Sequence, residues 1–145
     1  MSTCASFLAT TVEVVESLGF LTAMGEAVPL SPVDQAVTVV VDFSGHRRGQ
    51  VIVATSGAAL GAELARNMLG MGPSDQPGPD DAVEAVKELA NVLAGNLLPT
   101  LLGIDGEYCL EAPCPVPAME LTGDHVCGIE LMEGQVAVVV RAVAG

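Results

Sequence analysis

Residues 80–98, DDAVEAVKELANVLAGNLL, decide the fold because they read as one long amphipathic helix. Pro79 precedes this stretch, Asp80 or Asp81 can cap its first turn, and Pro99 is expected to end it. Apolar residues recur along the stretch at steps of three and four positions, which places them on one helix face: Val83, Val86, Ala90, Leu93 and Leu97. The pattern predicts a helix that buries this face against the rest of the chain.

The opposite face of this helix carries polar residues and a glycine. At about 100° per residue, Glu84, Glu88, Asn91 and Gly95 fall within about 60° of one another. Asn is a poor mid-helix residue because its side chain competes for backbone hydrogen bonds, and Gly costs about 0.5–1 kcal/mol relative to Ala. Local conflicts of this kind are expected at functional sites, so the face is a candidate site.

Each of these residues also has a structural interpretation. Glu84 lies three residues after Asp81 and could close a capping box with it. Glu88 could be a solvated surface charge, and Gly95 could relieve crowding against a neighbouring element. On the functional interpretation, Gly95 leaves bare backbone one turn beyond Asn91, where another molecule can approach closely. The sequence leaves both interpretations open.

The composition bounds the class of protein. A chain of 145 residues is expected to form one domain, residues 1–145, with a real hydrophobic core. It has no apolar run long enough to span a membrane and no secretory signal, since no basic residue precedes the first apolar ones, so a cytoplasmic location is expected. The net charge of −13 and an aromatic content of 3% argue against a nucleic-acid partner.

The cysteines and histidines do not predict a metal site. Four cysteines contain no Cys-x-x-Cys pair, and both histidines, His46 and His125, are distant from them in sequence. Free thiols in a reducing compartment are expected at all four positions: Cys4, Cys109, Cys114 and Cys127. The chain also lacks a phosphate-binding P-loop and a Gly-x-Ser-x-Gly nucleophile motif.

The rest of the chain predicts two further helices and two hairpins. The helices are expected over residues 4–20 and 57–69, with Ser56 capping the second and Gly70 ending it. The hairpin strands are rich in β-branched residues and are expected at 36–43 with 49–55, and at 125–132 with 135–143. Antiparallel strands with helices packed on them make an α+β fold.

Shorter features lie between these elements. The loop from Ser44 to Arg48 holds two of the five Lys and Arg residues, either as a soluble hairpin tip or as a contact for an acidic partner. After Pro99 the chain is expected to turn through Gly103 and Gly106 into a short strand at 107–111. Three prolines exclude the following segment from the centre of a sheet: Pro113, Pro115 and Pro117. The last hairpin is expected to turn at residues 133–134, and its final strand is apolar on both faces, as for a strand covered on both sides or at a subunit boundary.

The site helix resembles that of a known family. Glu88 and Asn91 form a Glu-x-x-Asn motif within KELAN, and Ala-Gly-Asn follows at residues 94–96. This stretch resembles the active helix of the CheX/CheC/FliY family of chemotaxis phosphatases, and the CheX-like members most closely. The resemblance runs through most of the chain, including the proline-bearing segment before Met119.

The resemblance implies a function and a division of roles. It implies a CheC-like fold and hydrolysis of the aspartyl-phosphate of a phosphorylated, CheY-like response regulator. Asn91 is then expected to orient the attacking water and Glu88 to pair with a lysine of the receiver domain, both as catalytic residues. Gly95 and Glu84 are expected to contact the partner.

The resemblance also implies a homodimer, with no cofactor of the chain's own, because the Mg²⁺ belongs to the receiver. The first predicted helix has no Asn three residues after Glu13 or Glu16, so it lacks the second site of two-site relatives.

Two other functions remain open at this point. The chain could be a non-catalytic dimeric module that docks a signalling partner, with Glu88 and Asn91 as contact residues only. It could also be a small structural or ligand-binding α+β domain in which the Glu-x-x-Asn motif is a coincidence.

Overall fold

A computed structural model describes residues 3–19, 21–45, 47–72, 74–102 and 108–143. His46, Gly103, Gly106 and the first residue of the expected strand at 107–111 lie outside these ranges. The described elements follow in the order α1 Thr3–Gly19, β1 Ala23–Glu26, β2 Val37–Gly45, β3 Arg48–Thr55, α2 Ala58–Met68, α3 Pro79–Leu102, β4 Tyr108–Leu110, β5 Cys114–Pro115, β6 His125–Leu131 and β7 Gly134–Val143, with a short 3₁₀ turn at Pro32–Asp34. The fold is α+β, as the sequence predicts.

All described strand pairs are antiparallel and form one sheet. Its order is β1-β6-β7-β3-β2-β4, and β5 pairs with β2 beside β4. The two central hairpins are those expected from the β-branched runs, with Val37 opposite Thr55 and Leu131 opposite Gly134. The second register places the turn at Met132 and Glu133, one residue earlier than predicted. The proline-rich segment contributes only the two-residue edge strand β5.

The helices cover one face of this sheet. Alternate strand residues point into a core beneath them, among them Val41, Val53 and Val138. Helix α3 lies between the other two and packs against α1, α2 and strands β2 and β3. The central position of α3 follows from its wide apolar face, because a helix flanked on both sides must bury more than a narrow stripe.

The other face of the sheet is covered by an outer layer, which we define as residues 27–35 and 116–124. Ile52 and Val139 point into it and pack with Leu30 and Leu121. The final strand β7 is therefore covered on both sides, which explains why both of its faces are apolar. The alternative explanation, a subunit boundary, is not needed for these residues.

The side chain of Gln35 fastens the outer layer together. Its amide nitrogen donates to the Met119 carbonyl at 2.7 Å, and its amide oxygen accepts from the Met119 backbone N–H at 3.2 Å. The same oxygen accepts from the Thr38 hydroxyl at 2.7 Å. A single carboxamide thus satisfies both backbone groups of a residue 84 positions away.

Two predictions about helix ends are wrong. Ser56 does not cap α2, because its hydroxyl accepts a hydrogen bond from the Gln135 backbone N–H at 2.8 Å and joins α2 to the β6–β7 turn. Pro99 does not end α3, which continues to Leu102. Proline inside a helix costs about 3 kcal/mol, whereas burial of a leucine contributes about 1.5–3 kcal/mol. Leu97 and Leu98 are both buried, so packing offsets the cost.

Candidate functional site

The exposed face of α3 brings all four predicted site residues together. Glu84, Glu88, Asn91 and Gly95 are exposed. The rest of this helix is largely buried, and the fully buried residues form a broad face: Ala85, Val86, Leu89, Ala90, Leu93, Ala94, Leu97 and Leu98. Because α1 and α2 flank α3, the exposed strip is narrow and bounded on both sides. We call this strip, from Glu84 to Gly95, the docking face.

Glu84 does not close a capping box. The helix begins at Pro79, and the Asp81 carboxylate accepts from the Gly78 backbone N–H at 2.8 Å, so Asp81 itself occupies the reciprocal capping position. Glu84 instead accepts from the Lys87 ammonium at 3.2 Å. The pair is on the surface and contributes little to stability, but it places a cation at the border of the docking face. The i,i+3 spacing in the sequence could have indicated this pair.

Asn91 differs from the other asparagine of the same helix. The Asn96 amide donates to the Val92 carbonyl at 2.8 Å, which satisfies it within α3. Neither Asn91 nor Glu88 has a side-chain hydrogen bond or ion pair with any residue in the described ranges. The carboxamide of Asn91 and the carboxylate of Glu88 therefore point into solvent with their bonding groups available. Residues at this helical spacing have Cβ atoms about 5–6 Å apart.

Gly95 is not required by packing inside the chain. A Cβ atom built on Gly95 meets no atom within 4 Å. By contrast, a Cβ on Gly61 of α2 would lie 2.8 Å from the Cβ of Ala82, where the two helices pack closely. Relief of crowding therefore explains Gly61 and does not explain Gly95. The open space above Gly95 fits the close approach of another molecule.

The helix α1 forms one wall beside the docking face. A groove of about 290 Å³ separates the two helices and is lined by Glu13, Ser17, Val92 and Asn96 together with Val14 and Leu18. Glu16 is not part of it, because its carboxylate accepts from the Ala23 backbone N–H at 2.9 Å and anchors the start of β1. The two acidic residues of α1 thus have different surroundings, and neither faces an Asn on its own helix.

The thiols divide into exposed and buried groups. Cys109 and Cys114 are exposed on the edge strands, and Cys127 is buried under α1; the Cys4 side chain lies outside the described part of the chain. Burial raises the pKa of the Cys127 thiol from 9.0 to about 11, while a hydrogen bond to Thr11 opposes the shift. In the described ranges no three His, Cys, Asp or Glu residues are grouped closely enough to hold a metal ion. Among the same residues, no helix has the length and apolar character to cross a membrane.

One further cleft was not indicated by the sequence. It has a volume of about 640 Å³ at the β2–β3 end of the sheet and is lined by Asp42, Ser44, Arg48, Gln50 and Glu111 with Phe43 and Gly49. The Gln50 amide donates to the Asp42 carboxylate at 3.0 Å within it. The lining carries charges of both signs, Asp42 and Glu111 with Arg48, so it shows no strong preference for a ligand of one sign.

Comparisons with known proteins identify relatives of this fold. The family model described as chemotaxis phosphatase CheX matches residues 37–126, a range that contains α2, α3 and strands β2 to β5. A search of curated protein sequences gave no significant match.

Solved structures with the same fold include three that cover almost the whole chain. CheX from Vibrio vulnificus has a TM-score of 0.71 at 18% identity, covering 99% of this chain and 97% of that one. A CheC-like superfamily protein from Shewanella sp. PV-4 has a TM-score of 0.70 at 15% identity, covering 99% and 100%. A complex of CheX with CheY, BeF3 and Mg²⁺ from Borrelia burgdorferi has a TM-score of 0.67 at 16% identity, covering 97% and 98%. Because the family model spans well over half of the chain and includes the Glu88 and Asn91 helix, the chain belongs to the family of the chemotaxis phosphatase CheX.

Proposed function

We propose that this protein hydrolyses the aspartyl-phosphate of a CheY-like receiver domain. The observation that carries the proposal is the state of Asn91, an exposed mid-helix carboxamide with no partner among the described residues. It lies beside an unpaired carboxylate, Glu88, and a glycine with open space above it. Membership of the CheX family and the Borrelia burgdorferi complex of CheX with CheY support a receiver domain as the partner.

The chemistry fits a protein that completes the active site of another. Hydrolysis requires a water that attacks the phosphorus while the bond to the aspartyl oxygen breaks, so that inorganic phosphate and a free carboxylate result. Positioning and electrostatics supply almost all the catalysis in such reactions. A neutral carboxamide can accept a hydrogen bond from the attacking water and hold it in line, which is the role proposed for Asn91. The Mg²⁺ that offsets the phosphoryl charge would be supplied by the receiver.

Glu88 is proposed to hold the two proteins in register. Its carboxylate has no cation nearby on its own chain among the described residues, because Lys87 pairs with Glu84. A lysine ammonium of the receiver would complete it with a charge-assisted hydrogen bond. Glu88 and Asn91 then act on different steps, binding and water attack, and variants of each should affect different kinetic constants.

The test is phosphate release from a phosphorylated receiver domain with and without this protein. The unmodified chain is expected to accelerate release. Asn91→Ala should lower kcat by about 100-fold with binding retained, since misplacement of a reacting group costs about this much. Glu88→Ala should weaken complex formation. Asn96→Ala is the matched control, because that amide bonds to its own helix, and it should leave the rate unchanged.

The outcomes separate the proposal from a docking module. If phosphorylated receivers bind the chain but their phosphate is released no faster, Glu88 and Asn91 are contact residues only and the protein is a non-catalytic module. If Asn96→Ala slows release as much as Asn91→Ala does, the role assigned to Asn91 is wrong.

A further inference from the structure

One backbone hydrogen bond of α3 is missing at the C-terminal end of the docking face. Pro99 lies inside the helix and has no N–H, so it cannot donate the regular i→i−4 hydrogen bond to the carbonyl of Gly95. The helix nevertheless continues to Leu102. The carbonyl oxygen of Gly95 is therefore left without its helical donor in the middle of a continuous helix.

The polar side chains around this gap bond elsewhere. The Asn96 amide donates to the Val92 carbonyl at 2.8 Å, and the Thr100 hydroxyl donates to the Asn96 carbonyl at 3.1 Å. Neither side chain donates to the carbonyl of Gly95. Gly95 itself is exposed and carries no side chain that would shield its backbone. Solvent, or a group on another molecule, can therefore reach this oxygen.

We infer that the Gly95 carbonyl oxygen is a contact point of the docking face, accepting a hydrogen bond from an N–H, hydroxyl or ammonium donor of the bound receiver domain. The inference rests on the proposed function and deepens it. This backbone acceptor lies four residues beyond Asn91, about one helical turn away. A hydrogen bond to it fixes the distance between the bound receiver and the Asn91 carboxamide. Gly95 gives access to this oxygen, and Pro99 keeps it from being used within the helix.

The experiment compares Pro99→Ala with the unmodified chain in binding a receiver activated by beryllofluoride. The substitution restores a backbone N–H at position 99, which closes the helical hydrogen bond to Gly95, so the variant should melt at a higher temperature. It should also bind the receiver about 2- to 10-fold more weakly, the range expected for one net hydrogen bond. Thr100→Ala is the matched control, because it removes a nearby hydroxyl that bonds to the helix backbone and leaves the Gly95 carbonyl open. Its affinity should equal that of the unmodified chain.

A second readout separates a lost contact from a changed helix path. In the unmodified, isotope-labelled chain, the carbonyl ¹³C resonance of Gly95 should move downfield when the receiver is added, as it does when a carbonyl gains a donor. Equal affinity of Pro99→Ala and the unmodified chain would overturn the inference. An unmoved Gly95 resonance would overturn it as well, even with weaker binding by the variant. Failure of the proposed function would look different, because the unmodified chain would then leave the rate of phosphate release from the receiver unchanged.

Discussion

Two glycines inside helices illustrate how the same residue serves different purposes. Gly61 is buried where α2 meets α3, and Gly95 is exposed with no atom within 4 Å of a built Cβ. From the sequence both are unfavourable helix residues, and pattern alone does not separate them. The distance to Ala82 separates them, and that distance depends on how two helices pack.

Replacing Gly95 by leucine should therefore stabilise the protein and abolish docking. The gain in helix propensity is about 0.5–1 kcal/mol, and the open space around the site removes any packing penalty. The leucine side chain would occupy the position where a partner must approach, so phosphatase activity should be lost. Urea unfolding and phosphate release measure the two effects. Unchanged activity would contradict the close-approach role.

The matched substitution is Gly61→Ala. Its Cβ would lie 2.8 Å from the Cβ of Ala82, so the helices must shift. Overpacking of this kind costs about 1–3 kcal/mol, and the free energy of unfolding should fall by an amount in that range. Gly95→Ala should raise it by about 0.5–1 kcal/mol. If the free energy of unfolding changes in the same direction in Gly61→Ala and Gly95→Ala, the packing argument is wrong.

Cys127 makes stability depend on pH in the alkaline range. Burial raises its pKa from 9.0 in the unfolded chain to about 11 in the folded one, so the folded state holds the proton more tightly. The stabilisation is complete below pH 9 and is lost as the pH rises from about 9 to about 11, by about 2–3 kcal/mol at 1.36 kcal/mol per unit.

The measurement is urea unfolding across this pH range for the unmodified chain and for Cys127→Ala. The alanine variant is less stable at neutral pH because it loses buried volume, but its stability should fall less between pH 9 and 11. Thiol labelling gives an independent check, since exposed Cys109 and Cys114 should react in the folded state and Cys127 only on unfolding. If the free energy of unfolding falls equally with pH in the two chains, Cys127 is not the group that makes stability depend on pH.

At the scale of elements, the sequence predicts what depends on local pattern. The run of β-branched residues identifies both hairpins, and the apolar spacing identifies α3 with its exposed face. The wrong predictions concern positions where a distant residue intervenes. Ser56 has the right chemistry for a cap, but its hydroxyl is used by Gln135, 79 positions away. Pro99 would end an isolated helix, and burial of Leu97 and Leu98 holds the turn around it.

The outer layer is the element that sequence reasoning did not predict. Its segments have no periodic pattern, and the contact that fastens them joins Gln35 to Met119 across 84 positions. Gln35→Ala should lower the free energy of unfolding by about 1–3 kcal/mol, because it leaves the backbone groups of Met119 without partners. The docking face is on the other side of the sheet, so phosphatase activity of the folded variant should be retained. Urea unfolding and phosphate release measure both.

Gln50→Ala is the control for Gln35→Ala, because Gln50 lies on β3, outside the outer layer. Its amide also bonds to one side chain, Asp42, but at an exposed position, so its loss should change stability by less than about 0.5 kcal/mol. Similar losses for the two variants would mean that Gln35 does not fasten the layer.

At the scale of the whole molecule, acidic residues greatly outnumber basic ones. The net charge is −13 with only five Lys and Arg residues. Arg47, Arg48 and Arg141 lie at the β2–β3 turn and on β7. The helices carry the other two cations, Arg66 and Lys87, which pair with Glu63 and Glu84. The helix side that presents Glu88 and Asn91 is therefore acidic. The composition gives the net charge, but the fold decides which charged groups lie beside the docking face.

This distribution predicts an unusual response of docking to salt. The phosphorylated site of a receiver is itself acidic, so the approaching faces repel each other at long range. Raising the ionic strength from about 20 to about 200 mM shortens the screening length and should speed association by about twofold or more. Stopped-flow binding to a beryllofluoride-activated receiver measures the rate. Lys87→Gln should associate more slowly at low salt and approach the unmodified chain at high salt, because only long-range repulsion has changed. Slower association at high salt would mean that local attraction, centred on Glu88 and the receiver lysine, already guides the encounter.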